Sequence, residues 1–357
     1  MTLTSYRTLG RSGLAVSPLC LGTMTMGTPR WGSPDEVSEA IFNAYVDAGG
    51  NFIDTADAYA NGRSEELLGG YIATRNLRDR TVLATKFTMT SPEQQGNPNG
   101  SANGRKNIYR AVEASLRRLR TDYIDLYWMH AWDTVTPAEE VLQSMGDLVR
   151  AGKIRYFGLS DVPAWYAAKM STLAAVHGVP GPIAMQLEYS LIERTIEREH
   201  VACAQEFGMG LTPWSPLASG FLAGKYTRDA EGKSTGAGRL EVLGDGANPV
   251  FTKYTAERNW AVLDTLRTVA DDLGKPLAQV ALAWAQARRG VTSLILGATK
   301  VEQLQNNIGS LDVTLTPGQI GRLDAASQPE FAHPYVFFSG MLHRERVFGG
   351  TDVAGWS

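Results

Sequence analysis

Asn51-Phe52-Ile53-Asp54-Thr55-Ala56-Asp57-Ala58-Tyr59 is the stretch around which the chain is organised. Phe52 and Ile53 are β-formers, and Gly49-Gly50-Asn51 supplies a turn before them, so the stretch begins as a buried strand. It then places two acids and a phenol, Asp54, Asp57 and Tyr59, where the strand gives way to a loop. On these residues alone two readings stand level. Asp54 caps a neighbouring element and Tyr59 packs on a rim, or the strand end carries chemistry.

The flanking sequence decides the fold. Residues 6–17 read as a hairpin turning through Gly10-Arg11-Ser12-Gly13. From Leu19 onward the opening stretch is one of eight short apolar runs, the others near 19–21, 81–87, 123–129, 154–159, 183–187, 209–212 and 291–296. Each is followed by a helical pattern. Ser33-Pro34-Asp35-Glu36 and Thr136-Pro137-Ala138-Glu139 read as capping boxes with Pro at the first helical position, and Thr316-Pro317-Gly318-Gln319 starts a late helix. Strands apolar on both faces and never joined by hairpins are parallel strands buried under helices. Eight such units predict an α/β fold of the (β/α)₈ barrel type, with an N-terminal hairpin and long loops.

A doubly wound nucleotide fold would show Gly-x-Gly-x-x-Gly after its first strand. The nearest match, Gly244-Asp245-Gly246-Ala247-Asn248-Pro249, lacks the third glycine, and Gly232-Lys233-Ser234 lacks the first glycine of a P-loop. No compositional break divides residues 1–357, so one domain is expected, with an irregular aromatic tail from about 329.

Composition narrows the function. A net charge of −3 argues against nucleic acid or an anionic membrane as the main partner. Only Cys20 and Cys203 are present, which suits a reducing cytoplasm and excludes a disulfide framework. No run is apolar enough to span a bilayer, the N-terminus lacks signal-peptide blocks, and no His/Cys/Asp spacing suggests a metal.

In a barrel, chemistry gathers where strands end. Asp54, Lys86 and His130 lie at three consecutive strand ends, and Tyr59 follows in the first loop. A phenol is a weak acid at neutral pH, and a nearby ammonium favours its ionised form. That ammonium, once buried, needs a carboxylate partner, which Asp54 supplies. A neutral imidazole orients a substrate oxygen. The cluster is a tuned proton donor facing a carbonyl, and the hydride must come from a cofactor. A hydrolase using Asp54 and Asp57 as paired carboxylates leaves Lys86 without a role.

The motifs Gly22-Thr23-Met24, Asp54 to Tyr59, Ala84-Thr85-Lys86, Asp125 to His130, Gly158-Leu159-Ser160 and Trp214-Ser215-Pro216-Leu217 resemble those of the aldo-keto reductases, from about Tyr6 to about Ser327. The pattern looks closest to the aryl-alcohol-dehydrogenase-like members. The resemblance implies a barrel that uses NADP(H), with Asp54, Tyr59, Lys86 and His130 as catalytic tetrad acting on a small carbonyl or alcohol substrate. It implies that Ser160, Asp161 and Gln186 meet the nicotinamide carboxamide and that Trp214 stacks on the ring. It places the pyrophosphate on Ser215, Pro216, Leu217, Ser219, Gly220 and Lys225. It places the adenosine 2′-phosphate and adenine on Gly297, Thr299, Lys300, Gln303, Asn306 and Asn307. Gly22, Thr23 and Met24 complete the cofactor set.

Two positions depart from the family pattern: Asp161 stands where many relatives carry Asn, and Thr299 where many carry Arg. Relatives that serve as potassium-channel β subunits hold the cofactor but turn over slowly, and they carry Asn where this chain has His130. A redox-sensing subunit is therefore the competing class. Trp31, Phe87 and Trp132 lie in segments expected to surround the mouth, which points to an aromatic or flat substrate. The aromatic tail is expected to close the pocket, cover the barrel wall or join subunits in a homo-oligomer.

Overall fold

The structure, a computed structural model, describes residues 1–29, 31–228, 234–235, 253–330, 332–338 and 340–353. Most of the Gly-rich loop expected over 227–250, with both near-matches to nucleotide motifs, lies outside them, as do Phe331 and Trp356.

Arg7–Thr8 (β1) and Ala15–Val16 (β2) pair antiparallel as the expected hairpin. Gly10 makes its turn with φ +61°, and a Cβ there would lie 2.4 Å from the Ile183 carbonyl oxygen. Only glycine lets the hairpin seat so closely against the barrel floor.

The eight expected strands are all present: Leu19–Gly22 (β3), Phe52–Asp54 (β4), Val82–Phe87 (β5), Ile124–Met129 (β6), Ile154–Ser160 (β7), Ala184–Gln186 (β8), Gly210–Leu211 (β9) and, after a small ribbon of Thr227–Arg228 (β10) and Ser234–Thr235 (β11), Leu294–Leu296 (β12). They form one parallel sheet in the order β12-β3-β4-β5-β6-β7-β8-β9. A parallel bridge between Leu211 and Val291, and a bond from the Ile295 N–H to the Pro213 oxygen (2.9 Å), join its two edges. Closure joins the two edge strands of this sheet, β9 and β12, to each other.

Side chains alternate along each strand. Cys20, Phe52, Ala84, Leu126, Trp128 and Ala184 point inward and form a small core with Leu9 and Val16 from the hairpin. Leu21, Ile53, Leu83, Tyr127, Met129 and Leu159 point outward into the larger core under the helices. Trp128 fills the barrel interior. A Cβ on Gly158, on the next strand, would lie 2.3 Å from its ring, so that strand must offer glycine there. With the lower interior packed solid, the open space is left to the strand ends.

The helices at Asp35–Asp47, Arg63–Thr74, Arg105–Leu119, Ala138–Arg150, Ala164–His177 and His200–Phe207 cover the sheet, followed by Glu257–Leu273, Leu277–Gln286, Val301–Ile308 and Pro317–Ala326. Two capping expectations need correction. Pro34 and Pro137 have extended ψ values of 156° and 140°, so each stands before the first helical residue and no side chain caps either helix. Thr136 instead donates its hydroxyl to Asp133 at 2.6 Å. The capping box is real at Thr316, which accepts from the Gln319 N–H while the Gln319 side chain answers to its own. The tail also differs from expectation. It is not irregular throughout but carries a short turn at Tyr335–Phe338 and a helix at Gly340–Val347. Tyr335 donates to Glu199 at 2.6 Å, which lays this part of the tail on the outer wall, and none of its described residues lines the central cavity.

Candidate active site

A cavity of about 1400 Å³ opens at the C-terminal ends of the strands. Strand parity builds its floor. In-facing Phe52 is followed two residues on by Asp54, Ala84 by Lys86, and Trp128 by His130. Three charged or polar residues thus continue three inward rows of the core. Register does the rest: Gly22 pairs with Asp54, Asp54 with Ala84, and Lys86 with Trp128.

Lys86 is fully buried and its ammonium donates to three oxygens. One is the Asp54 carboxylate, in a very short contact. The others are the Thr55 carbonyl at 2.8 Å and the Tyr59 hydroxyl at 3.2 Å. Burial works against the charge on Lys86, but Asp54 and then Tyr59 outweigh it and hold its pKa above the usual lysine value. Burial raises the Asp54 carboxyl, and Lys86 with the Gln186 amide, 3.1 Å from the other carboxylate oxygen, pulls it back. The pair is an ammonium and a carboxylate, each satisfying the other in a site too enclosed for water.

A sharp turn follows Tyr59. Ala60 (φ 47°) and Asn61 (φ 56°) both sit in the left-handed region before the helix at Arg63. His130 meets Tyr59 edge-on, with ring centroids 5.9 Å apart. Burial, and then the charge of Lys86, pushes the His130 imidazole down to about 3, so it is neutral at working pH. Its Nδ1 is buried without a partner among the described residues, which leaves Nε2 as the nitrogen within reach of the cavity. The backbone is what fixes this ring. The His130 N–H donates to the Phe87 carbonyl (3.1 Å) and to the Thr88 hydroxyl (3.2 Å). Thr88 carries a strained φ of 110° and donates in turn to Asn103 at 2.6 Å.

From this floor the cavity runs as a long groove. Ser160, Asp161, Gln186 and Trp214 line one part; Ser215, Pro216, Leu217, Ser219, Gly220 and Lys225 the next; Gly297, Thr299, Gln303, Asn306 and Asn307 the far part; Gly22 and Met24 flank it. The segment from Ser215 to Gly220 is coiled tightly, with Ser215, Ala218 and Ser219 all at positive φ. Along it are three buried polar atoms with no partner among the described residues: Ser160 Oγ, Ser219 Oγ and Asn307 Nδ2. An orphaned buried donor or acceptor is costly unless a ligand completes it. Asp161 accepts from the Trp214 indole N–H at 3.1 Å. It is exposed to the cavity, and partial desolvation by the surrounding protein raises its carboxyl to about 6 against the pull of Trp214.

Not every expected residue reaches the cavity. Thr23 is buried beneath it, bonded to Ser64 (2.8 Å) and to the Asp54 carbonyl. Lys300 stands before the helix at Val301 and is not part of the lining. Of the three aromatic candidates, Trp31 lines the cavity. Phe87 does not: one residue past inward Lys86, it must point outward, and it packs on Tyr127 in the helix-side core (centroids 5.0 Å apart). Trp132 also turns away: its ring packs on Trp165 and Tyr166 and it lines a separate side groove. Sequence reasoning missed Met89, Glu188, Lys253 and Leu277, all of which line the cavity. Glu188 was findable, two residues beyond Gln186 on the same inward row. Lys253 follows the long loop and carried no signal.

Residues 18–328 match the model for the aldo/keto reductase family. The chain is similar to a norsolorinic acid reductase of Emericella nidulans, 37% identical over 335 residues that cover 91% of this chain and 82% of the relative. It is similar to an aryl-alcohol dehydrogenase [NADP(+)] of Phanerodontia chrysosporium, 33% identical with 91% and 86% covered. A probable voltage-gated potassium channel subunit beta of Oryza sativa subsp. japonica is 38% identical, with 90% and 96% covered. Among the described residues no helix is long and apolar enough to cross a membrane, and no group of His, Cys, Asp and Glu is placed to hold a metal.

Proposed function

The chain belongs to the aldo/keto reductase family, an oxidoreductase family, and on that premise we propose that it reduces aldehyde and ketone carbonyls to alcohols with NADPH, Tyr59 giving the proton. The observation that carries this is the single ammonium of Lys86, which bonds both Asp54 and Tyr59 on the cavity floor.

The residues present fit an NADP(H) dinucleotide. The groove is long, its orphaned donors Ser160, Ser219 and Asn307 lie at the positions assigned to the carboxamide, the pyrophosphate and the adenosine, and Lys225 supplies a cation midway. The coil at Ser215 to Gly220 offers backbone N–H groups to phosphate oxygens. Thr299 is already tied to Gln303, its N–H donating at 3.0 Å, which preforms the far end. When bound, the dinucleotide supplies the hydride.

The chain does the rest. Tyr59 donates its hydroxyl proton to the carbonyl oxygen as hydride reaches the carbonyl carbon, so the C=O double bond becomes an alcohol and Tyr59 is left as an oxyanion. Lys86, 3.2 Å away, stabilises that oxyanion. Asp54 keeps Lys86 charged, and Tyr59 regains its proton from solvent. Neutral His130 holds the carbonyl oxygen beside the phenol through Nε2. The apolar side chains of Met24, Trp31, Ala58 and Met89 in the cavity lining suit a flat aromatic carbonyl.

A second reading, a slowly cycling NADP(H)-holding regulatory subunit, draws on the likeness to the channel subunit. His130 favours the enzyme. Incubation with NADPH and 4-nitrobenzaldehyde separates them. Steady cofactor oxidation, lost in Tyr59→Phe with dinucleotide binding intact, supports the reductase; bound cofactor without turnover in the wild type supports the subunit.

A further inference from the structure

The charges around the Trp214 end of the cavity do not cancel. Lys86 is matched by Asp54. Lys253 is shared between Glu188 (3.0 Å) and Glu193 (2.9 Å), and Tyr254 donates to the second oxygen of Glu188. His130 is neutral. Lys253 thus faces two carboxylates and leaves that group net negative, and Asp161 adds a second uncompensated charge: it has no ion pair among the described residues and one side-chain hydrogen bond, from Trp214 to Oδ1. Its second oxygen accepts nothing from the described residues. Its backbone is held at φ 45°, a conformation a non-glycine residue adopts only when its surroundings enforce it. The rest of the groove carries Lys225 at the coil and no carboxylate in its lining. The cavity is therefore polarised, with an uncompensated anion beside the indole and a cation at the coil.

We propose that Asp161 biases the bound nicotinamide toward its oxidised, cationic ring, so that this chain holds NADP⁺ more tightly relative to NADPH than an uncharged residue at this position would allow. The inference rests on the NADP(H) reading above. The two dinucleotides differ at the ring by one positive charge and one hydride, and share their phosphates. A fixed anion beside Trp214 acts on that difference and nothing else. Asp161 is exposed to the cavity, so its charge is well screened; one unit charge about 4 Å away shifts the binding ratio on the order of tenfold for an effective dielectric of about 60. The consequence is a bias in direction: the bound equilibrium moves toward NADP⁺ and alcohol, the side of carbonyl reduction, in which the carbonyl carbon takes hydride from NADPH and the carbonyl oxygen takes its proton from Tyr59.

The test is calorimetric titration of the whole chain with NADP⁺ and with NADPH at pH 8, where Asp161 is ionised, without substrate. The Kd ratio (NADP⁺ over NADPH) rises about tenfold in Asp161→Asn and stays near the wild-type value in Asp161→Glu. Asn is the side chain that best tolerates positive φ, and Asp161→Ser gives a second neutral version should Asn fold poorly. An unchanged ratio in the neutral variants, with both dinucleotides still bound, overturns the proposal alone. A wild-type chain that binds neither dinucleotide overturns it together with the cofactor reading.

Discussion

Lys86 sits one inward-facing step beyond Ala84, and Ala84 is the residue paired with Asp54 across the sheet; the ammonium therefore lands on the carboxylate from directly above. Strand register alone brings two opposite charges into contact at a place where neither is solvated. A buried pair of this kind is weak evidence for stability, because desolvation offsets much of the attraction, but removing one partner strands the other.

Replacing Lys86 by Met is accordingly expected to do two things. It leaves Asp54 buried and unpaired, costing roughly 3–5 kcal/mol in denaturant unfolding. It also removes the cation from Tyr59 and abolishes measurable turnover. Combining Lys86→Met with Asp54→Asn returns much of the stability and none of the activity. If the double variant is as unstable as the single, the pair is not the electrostatic unit described.

Phe87 and Trp31 should part company in the same way. Phe87→Ala opens a hole in the helix-side core and costs roughly 3–5 kcal/mol, with KM values for different carbonyl compounds shifted little relative to one another. Trp31→Ala costs little stability and reorders those KM values, aromatic substrates losing most. A carbonyl panel run alongside thermal unfolding reads both. An Ala at Phe87 that changes substrate ranking without loss of stability contradicts the placement.

That contrast also shows what was legible in the chain. The eight strands were readable because each is a short apolar run followed by a helical pattern, and the floor residues because Asp54, Lys86 and His130 break those runs at their ends. The side of the strand each residue faces was legible too, since Phe87 follows inward Lys86 by one position. Proximity to the mouth along the chain misled where parity would not have. Trp132 was beyond such reasoning, because its loop is set by Asp133, which gathers the Val135 and Thr136 N–H groups (3.1 and 2.9 Å) and that of Asn103. Pairings between distant loops leave no periodic trace. Neither does the fastening of Lys253 to Glu188.

His130 bears on pH dependence. Burial and Lys86 hold its pKa down to about 3, so it does not titrate between pH 5 and 8. Any inflection of kcat/KM in that window belongs to another group. The pH profile of His130→Gln should keep the wild-type inflections while its overall level falls, on the order of tenfold or more for the loss of a positioned hydrogen-bonding group. An inflection near 6.5 that disappears in His130→Gln would show the imidazole to be titrating.

Asp57, the acid of the opening stretch with no part in the reaction, carries a prediction about folding. Burial, then the negative charge of Glu65, raises its carboxyl to about 7, with Arg118 and Arg110 opposing. Its Oδ1 is buried with no partner among the described residues. Glu65 is fully buried as well, but it is bonded to Arg118 and to Thr85, both at 2.6 Å, and has no room for a second acid. The unfolded chain releases the Asp57 proton near pH 4, whereas the folded chain keeps it until about pH 7. Between those values the folded state binds the extra proton, so this group makes stability fall as pH rises, by up to about 1.4 kcal/mol per pH unit, and flattens above pH 7. Urea unfolding of the wild type and of Asp57→Asn across pH 4.5 to 8.5 isolates the term: the Asn variant loses that slope and gains on the wild type toward the alkaline end. Parallel curves would mean that Asp57 is ionised in the folded protein and that a counter-charge faces it.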